Sequence, residues 1–230
     1  MNHRNIIVFD FETTGRNPHK CQPTQIAAVA IDSRRLELMD GGVFESSMRC
    51  IIDDEKAIAA GFDPVEDKAL EVTRKTRSEI SKGPMPKTVW KKFNQFVDKF
   101  NWKGTNWTAP IAAGWNINGY DMHIVNRMCK AFGPWDKQRE EQRLFNPIFT
   151  MDAMQHVYCW FENNQDVKGY NMDYMRDYFG MSQASKDNAH DALQDVKDTA
   201  NIMIKFMKLQ RTLLHKVKFE KTFANGDIYV

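Results

Sequence analysis

The sequence predicts a mixed α/β layer fold, and three observations carry that prediction. Ile6–Phe11, Gln25–Ile31 and Val43–Ile52 are runs of strand length and strand composition in the first third of the chain. Lys87–Phe100 and Asp121–Phe132 then place apolar residues at three- and four-residue steps, with the apolar run Pro110–Trp115 between them. A last periodic stretch runs from about Ala189 to Leu214.

Ile6-Ile7-Val8-Phe9 is uninterrupted by polar residues and reads as a buried strand, central in the sheet. Asp40-Gly41-Gly42 is the turn before the third strand, so the three strands form a meander. Ala57–Arg77 is polar and mixed, a region of short helices and loop. In the helix Lys87–Phe100, Val89, Phe93, Phe96, Val97 and Phe100 share one face, and Pro84-Met85-Pro86 punctuates its start. Asn101–Ala109 is a Trp-, Gly- and Thr-rich loop, and Pro110–Trp115 a second buried strand. Ile124, Val125, Met128 and Phe132 line the helix Asp121–Phe132, which Gly133-Pro134 ends. Pro147–Phe149 is a short strand leading to Asp152, followed by helices Asp152–Phe161 and Met172–Phe179, the latter closed by Gly180. Ser182–Asn188 is polar and mobile. The final helix carries the stripe Ala192, Val196, Ala200, Met203, Met207, with Asn188 as its N-cap and Asp191 in its first turn. Asn225-Gly226 within Val217–Val230 signals a terminal hairpin.

At 230 residues, with no linker, the chain suits one domain. A formal net charge of +2 excludes a polycation that coats nucleic acid by charge alone. Cys21, Cys50, Cys129 and Cys159 are widely spaced without a C-x-x-C, and the opening residues Met-Asn-His-Arg-Asn are polar. No apolar run approaches the roughly 20 residues of a membrane span. These features predict a cytoplasmic protein in a reducing compartment, without a membrane partner.

The strand Ile6–Phe11 runs into Asp10-Phe11-Glu12-Thr13-Thr14-Gly15. Residues i and i+2 of a strand share a face, so Asp10 and Glu12 aim two negative charges at one spot. Like charges held that close raise a pKa unless a cation lies between them, and hard divalent cations prefer carboxylate oxygens. Asp121 opens a helix directly after a strand, in Gly114-Trp115-Asn116-Ile117-Asn118-Gly119-Tyr120-Asp121. His190 and Asp195 lie at the mouth of the last helix and on its second turn, in Asn188-Ala189-His190-Asp191-Ala192-Leu193-Gln194-Asp195. Standing alone, each segment has an ordinary reading: an acidic turn, a helix cap, a solvated acidic face.

Taken in order, the three segments resemble the DEDDh branch of the DnaQ-like 3′–5′ exonucleases of the ribonuclease H-like superfamily, over roughly residues 5–208. Lys68-Ala69-Leu70-Glu71-Val72-Thr73 and Thr150-Met151-Asp152-Ala153 fall where that family has similar runs. The resemblance implies a three-layer fold with a mixed five-stranded central sheet flanked by helices. Residues 1–208 would form the nuclease domain, and 209–230 the end of its last helix and a hairpin extension. Asp10, Glu12, Asp121 and Asp195 would bind two divalent cations, Mg²⁺ or Mn²⁺, with His190 as general base. The absence of a Cys/His cluster disfavours zinc. The backbone of Thr13 and Thr14 would hold the terminal nucleotide. The ring of Tyr120 would stack on it or wedge beside it, or be a core aromatic. The sister branch carries Tyr four residues before the last acid, where this chain has Asp191.

The implied reaction is hydrolysis of phosphodiester bonds at 3′ ends of mostly single-stranded DNA, releasing nucleoside 5′-monophosphates. Two alternatives remain: an RNA-processing exonuclease of the RNase T or oligoribonuclease type, and a non-catalytic nucleic-acid-binding module. The implied partners are single-stranded 3′ ends, DNA ahead of RNA, and a polymerase or other replication or repair protein, as in proofreading. The chain departs from the family pattern in having Thr73-Arg74-Lys75 where His-Gly-Ile is usual, and Asn116 five residues before Asp121. Asp191 and Asp198 sit one turn either side of Asp195 and could be mistaken for it, but the spacing from His190 favours Asp195. Two basic clusters are candidates for phosphate contact: Arg74, Lys75 and Arg77, and Lys205, Lys208, Arg211, Lys216, Lys218 and Lys221. Trp102, Trp107 and Trp115 are candidates for base stacking or for the core. His3, His19, His123, His156 and His215 show no ligand spacing.

Overall fold

A computed structural model of the chain describes residues 4–187 and 189–216. Strands β1 (Ile6–Thr13), β2 (Pro23–Asp32) and β3 (Glu37–Ser47) form the expected antiparallel meander. Short helices α1 (Asp54–Ala59), α2 (Asp67–Thr73) and α3 (Arg77–Ile80) lead to α4 (Pro86–Asp98). Strand β4 (Ile111–Gly114) pairs parallel to β1 and is followed by α5 (Asp121–Phe132). A small hairpin of β5 (Trp135–Asp136) and β6 (Glu141–Gln142) precedes β7 (Thr150–Asp152), which pairs parallel to β4. Helices α6 (Ala153–Phe161), α7 (Met172–Tyr178), α8 (Gln183–Asp187) and α9 (Ala192–Leu214) complete the described chain. The mixed five-stranded sheet has the order β3-β2-β1-β4-β7, with β1 at its centre.

Alternation along β1 divides the core. Ile7, Phe9 and Phe11 join Ile26 and Ala28 of β2 under α4 and α5, where Phe9 stacks on Phe145 with ring centroids 5.1 Å apart. Ile6 and Val8 join Ala27, Val29 and Ala113 under Ala192, Val196, Ala200 and Met203 of α9. Helices thus cover both faces, which is why β1 has no polar residue before Asp10. On α4, Val89, Phe93, Phe96 and Val97 are all buried, each contributing about 1.5–3 kcal/mol of transfer free energy.

Several predicted boundaries are corrected. Asp40-Gly41-Gly42 lies inside β3, not before it: the register shifts opposite Ala30, and these residues bulge out. A Cβ on Gly42 would lie 2.6 Å from the Met39 carbonyl oxygen, so glycine serves a close approach there. The reversal is made at Ser33–Leu36, where Asp32 Oδ1 accepts from the Arg34 and Arg35 N–H groups and Leu36 takes φ 57°. The third strand also ends at Ser47, short of Ile52. The short strand expected at Pro147–Phe149 begins at Thr150, because Asn146 Oδ1 takes the Ile148 and Phe149 N–H groups into a turn. Ser182–Asn188, read as mobile, contains helix α8, with Ser185 buried. The last helix starts at Ala192: Asp191, not Asn188, is its N-cap, accepting from Leu193 and Gln194. Asn188 and the predicted hairpin at Val217–Val230 lie outside the described residues.

Candidate active site

The register of β1 sets the site. Continuing its alternation past Val8 puts Asp10 and Glu12 on the face covered by α9, and Asp195 lies in the first turn of that helix. Alanines on both surfaces (Ala27, Ala113, Ala192, Ala200) bring the helix close to the sheet. Carboxylate oxygens of Asp10, Glu12 and Asp195 all lie within 4.8 Å of one another. Because α9 starts later than predicted, Asp195 sits on its first turn rather than its second.

Burial and mutual repulsion make this cluster costly to ionise without a counter-charge. Burial, then the charge of Asp195, pushes Asp10 up from 3.8 to about 7. Burial, then Asp10, pushes Glu12 up from 4.5 to about 9. Lys75 opposes both shifts, and its ammonium donates to Gln25 Oε1 at 2.5 Å, on the residue paired with Glu12 across the sheet. Asp195 is raised by burial, against which the Arg176 guanidinium acts.

Asp121 is placed differently. It is buried at the start of α5, and its Oδ1 accepts from the Phe11 N–H at 3.1 Å. Burial raises it well above the usual range, and the next cause is the charge of Asp10. The four predicted carboxylates therefore form a tight group of three with the fourth beside it, bonded to the backbone of β1. His190 precedes α9 with φ 65°, and its Nε2 lies 3.3 Å from Asp173 Oδ2 on α7.

Beside the carboxylates is a cleft of about 420 Å³ lined by Glu12, Thr13, Arg16, Val72, Thr73 and Tyr120, among others. The hydroxyls of Thr13 and Tyr120 lie 2.7 Å apart, and both reach the Gly15 carbonyl. The ring of Tyr120 both lines the cleft and packs on the core, so the two readings of this residue coexist. Thr14 is occupied elsewhere: its hydroxyl accepts from the Gln22 N–H and its carbonyl from the Glu66 N–H. Gly15 meets Glu66 so closely that a Cβ would lie 2.5 Å from Oε1.

The competing acids have other tasks. Asp191 caps α9, and Asp198 is buried against Arg176. Asp152, in the family-like segment before α6, organises backbone: its carboxylate accepts from Asn116, Asn118, Met154 and Gln155. This also accounts for Asn116, whose N–H meets Asp152 while its φ is 55°. Of the basic clusters, Arg77 is spent on Asp54, Asp67 and the carbonyls of Ile52 and Val65. Arg211 donates to the carbonyls of Ser33 and Arg34. Trp102 and Trp107 are exposed before β4, at the opposite end of the sheet from the carboxylates, while Trp115 donates to the Tyr170 carbonyl. Arg176 is the residue that sequence reasoning missed. Its only local signal is Asp173 three residues earlier, an ordinary surface pair on a helix.

Asp10, Glu12 and Asp195 offer only oxygen ligands, repel one another when ionised and remain partly exposed. That donor set fits a hard divalent cation such as Mg²⁺ or Mn²⁺. Among the described residues, no other group of three His, Cys, Asp or Glu side chains is so arranged.

A family model described as RNase_T, exonuclease, matches residues 7–203. The chain is 24% identical over 207 residues to a PolC-type DNA polymerase III of Caldanaerobacter subterraneus subsp. tengcongensis, covering 89% of this chain and 12% of that one. In fold it is similar to E. coli exonuclease I in complex with a dT13 oligonucleotide, with TM-score 0.66, 17% identity, and 92% of this chain and 43% of that chain covered. Cell-death related nuclease 4 gives TM-score 0.66 at 13% identity, over 90% of this chain and 65% of that chain. The chain thus spans less than two thirds of each of these three proteins.

Proposed function

The chain belongs to the RNase_T exonuclease family, DnaQ-like within the RNase H-like superfamily, and from that premise we propose that it is a metal-dependent 3′–5′ exonuclease acting on single-stranded DNA ends. The observation that carries this reading is the convergence of Asp10, Glu12 and Asp195 within 4.8 Å at the edge of an open cleft. In this proposal those three residues hold two divalent cations, Mg²⁺ or Mn²⁺, with Asp121 supporting them from the start of α5. When bound, the cations would lower the pKa of the attacking water and neutralise charge developing on the phosphate and the departing 3′-oxygen.

The chain's own residues do the rest. The cleft walls of Thr13 and Tyr120 receive the terminal nucleotide, with the Tyr120 ring against its sugar or base. The hydroxyl pair on Gly15 keeps that wall rigid. His190 takes a proton from the attacking water, and the Asp173 carboxylate lies 3.3 Å from its Nε2. Water attacks phosphorus, the bond to the 3′-oxygen breaks, and a nucleoside 5′-monophosphate leaves. Similarity to a nuclease solved with dT13 supports DNA as substrate, and similarity to a polymerase supports work beside one. No described helix is long and apolar enough to cross a membrane.

The test is digestion of a 5′-labelled single-stranded DNA, and of the matching RNA, with Mg²⁺, Mn²⁺ or EDTA. A ladder shortening from the 3′ end of the DNA, lost in EDTA and in Asp10→Ala, is the expected result. Cleavage of RNA alone would make this an exoribonuclease. Inertness toward both would leave a nucleic-acid-binding module.

A further inference from the structure

Arg176 is a positive charge closed inside the protein behind the acidic cluster, with its side chain 1% exposed. Each of its three nitrogens reaches a different carboxylate. Nη1 lies 2.9 Å from Asp173 Oδ1, Nη2 2.5 Å from Asp195 Oδ1, and Nε 2.9 Å from Asp198 Oδ2. Asp198 is buried too, and it also receives the Ser185 hydroxyl at 2.6 Å and Gln194 Nε2 at 2.8 Å. Asp173 in turn faces His190 at 3.3 Å.

Burying a guanidinium costs several kcal/mol unless it is well paired. Asp198 meets only Nε, so the two Nη groups of the buried fork find their partners in Asp195 and Asp173. Asp195 and Asp198 are three residues apart on α9, and the planar fork of arginine fastens both to α7 at once. A lysine, a point charge, does not address three carboxylates in fixed directions. One oxygen of Asp195 is thereby held, which fixes the rotamer in which this carboxylate meets Asp10 and Glu12.

We propose that Arg176 is a positioning residue for the reaction: anchored on Asp198, it fixes the Asp195 carboxylate for cation binding and, through Asp173, ties His190 to the same frame. This rests on the functional reading above and adds the group that holds Asp195 in place. Side chains that orient metal ligands characteristically change metal affinity by 10–100-fold when altered.

Two variants test it. Arg176→Lys keeps the charge and loses the fork. Arg176→Met combined with Asp198→Leu replaces the buried pair with apolar groups of similar size, which often preserves stability. Folding is followed by circular dichroism and thermal unfolding in EDTA, Mn²⁺ affinity by the paramagnetic resonance of free Mn²⁺, and kcat and KM on a labelled single-stranded DNA. The expected result is a folded protein with Kd for Mn²⁺ raised about 10–100-fold, and with lost activity recovered at high Mn²⁺ as kcat rather than KM. Variants that fold and bind Mn²⁺ like the parent would overturn the proposal. So would unfolding of both, which would make Arg176 purely structural. If the unaltered protein neither binds Mn²⁺ nor cleaves, it is the functional reading that fails.

Discussion

The two walls of the carboxylate cluster are held by different forces. The wall formed by β1 and the start of α5 is set by apolar packing and backbone geometry: Asp10 and Glu12 follow the alternation of a strand buried on both faces, and Asp121 is tied to the Phe11 N–H. The wall formed by α7, α8 and α9 is set by charge: Asp195, Asp198 and Asp173 meet around one buried arginine, and His190 faces Asp173. A packed strand holds its register whatever the pH or metal content. An ion-pair frame depends on every member being present, since loss of one partner leaves a buried charge uncompensated. Disturbing the first wall should therefore remove function and leave the fold, whereas disturbing the arginine's ion pairs in the second should weaken metal binding.

The largest expected effect is on the first wall. Asp10→Ala should take cleavage to background, while unfolding temperature in EDTA holds or rises because repulsion within the cluster is relieved. Residual cleavage equal to the parent's, in a gel assay run beside thermal unfolding, would break the assignment. On the second wall, His190→Ala should slow hydrolysis on the order of 10²–10⁴-fold, the usual worth of a general base. Mn²⁺ affinity should be largely retained, unlike that of the Arg176 variants. Single-turnover rates at saturating Mn²⁺ measure this directly.

The pH dependence sharpens the contrast. Unfolded, Asp10 and Glu12 lose their protons near 3.8 and 4.5, but folded they keep them to about 7 and about 9. Between these values the native state binds more protons, so stability in EDTA should fall as pH rises from about 4 to about 9. Divalent cations need the ionised carboxylates, so Mn²⁺ should bind more tightly and stabilise more at the upper end of that range. Calorimetric scans at several pH values, with Mn²⁺ and with EDTA, would show whether the two curves diverge. The smallest effect is expected from Tyr120→Phe, which removes a hydroxyl bonded to Gly15 and Thr13. A cost of about 0.5–1.5 kcal/mol, read as a several-fold rise in KM with kcat nearly unchanged, is the expected outcome.

What was legible in the sequence follows the same division. The buried first strand, the helix Asp121–Phe132 and the shared face of Asp10 and Glu12 all rest on apolar runs or on period-two or period-3.6 patterns within a few residues. Such patterns are local and survive being read in one dimension. The errors fell where a side chain overrides the pattern. Asn146 delays β7, Asp191 rather than Asn188 caps α9, and a bulge absorbs Asp40-Gly41-Gly42, which looks like a turn. Arg176 left no trace because its partners Asp195 and Asp198 are 19 and 22 residues away and every member of the network looks like surface charge in sequence.

By itself the sequence determined which strand is central, which of its carboxylates share a face, and which family pattern the acids follow. These depend on hydrophobic periodicity and on spacing along the chain. The tertiary structure alone decided what Asp191 and Asp198 do instead, that Asp121 turns to the backbone of β1, and that a buried guanidinium orders the second wall. Those outcomes depend on distances between elements far apart in sequence, and on desolvation, which gives a charge its strength only once packing has excluded water around it.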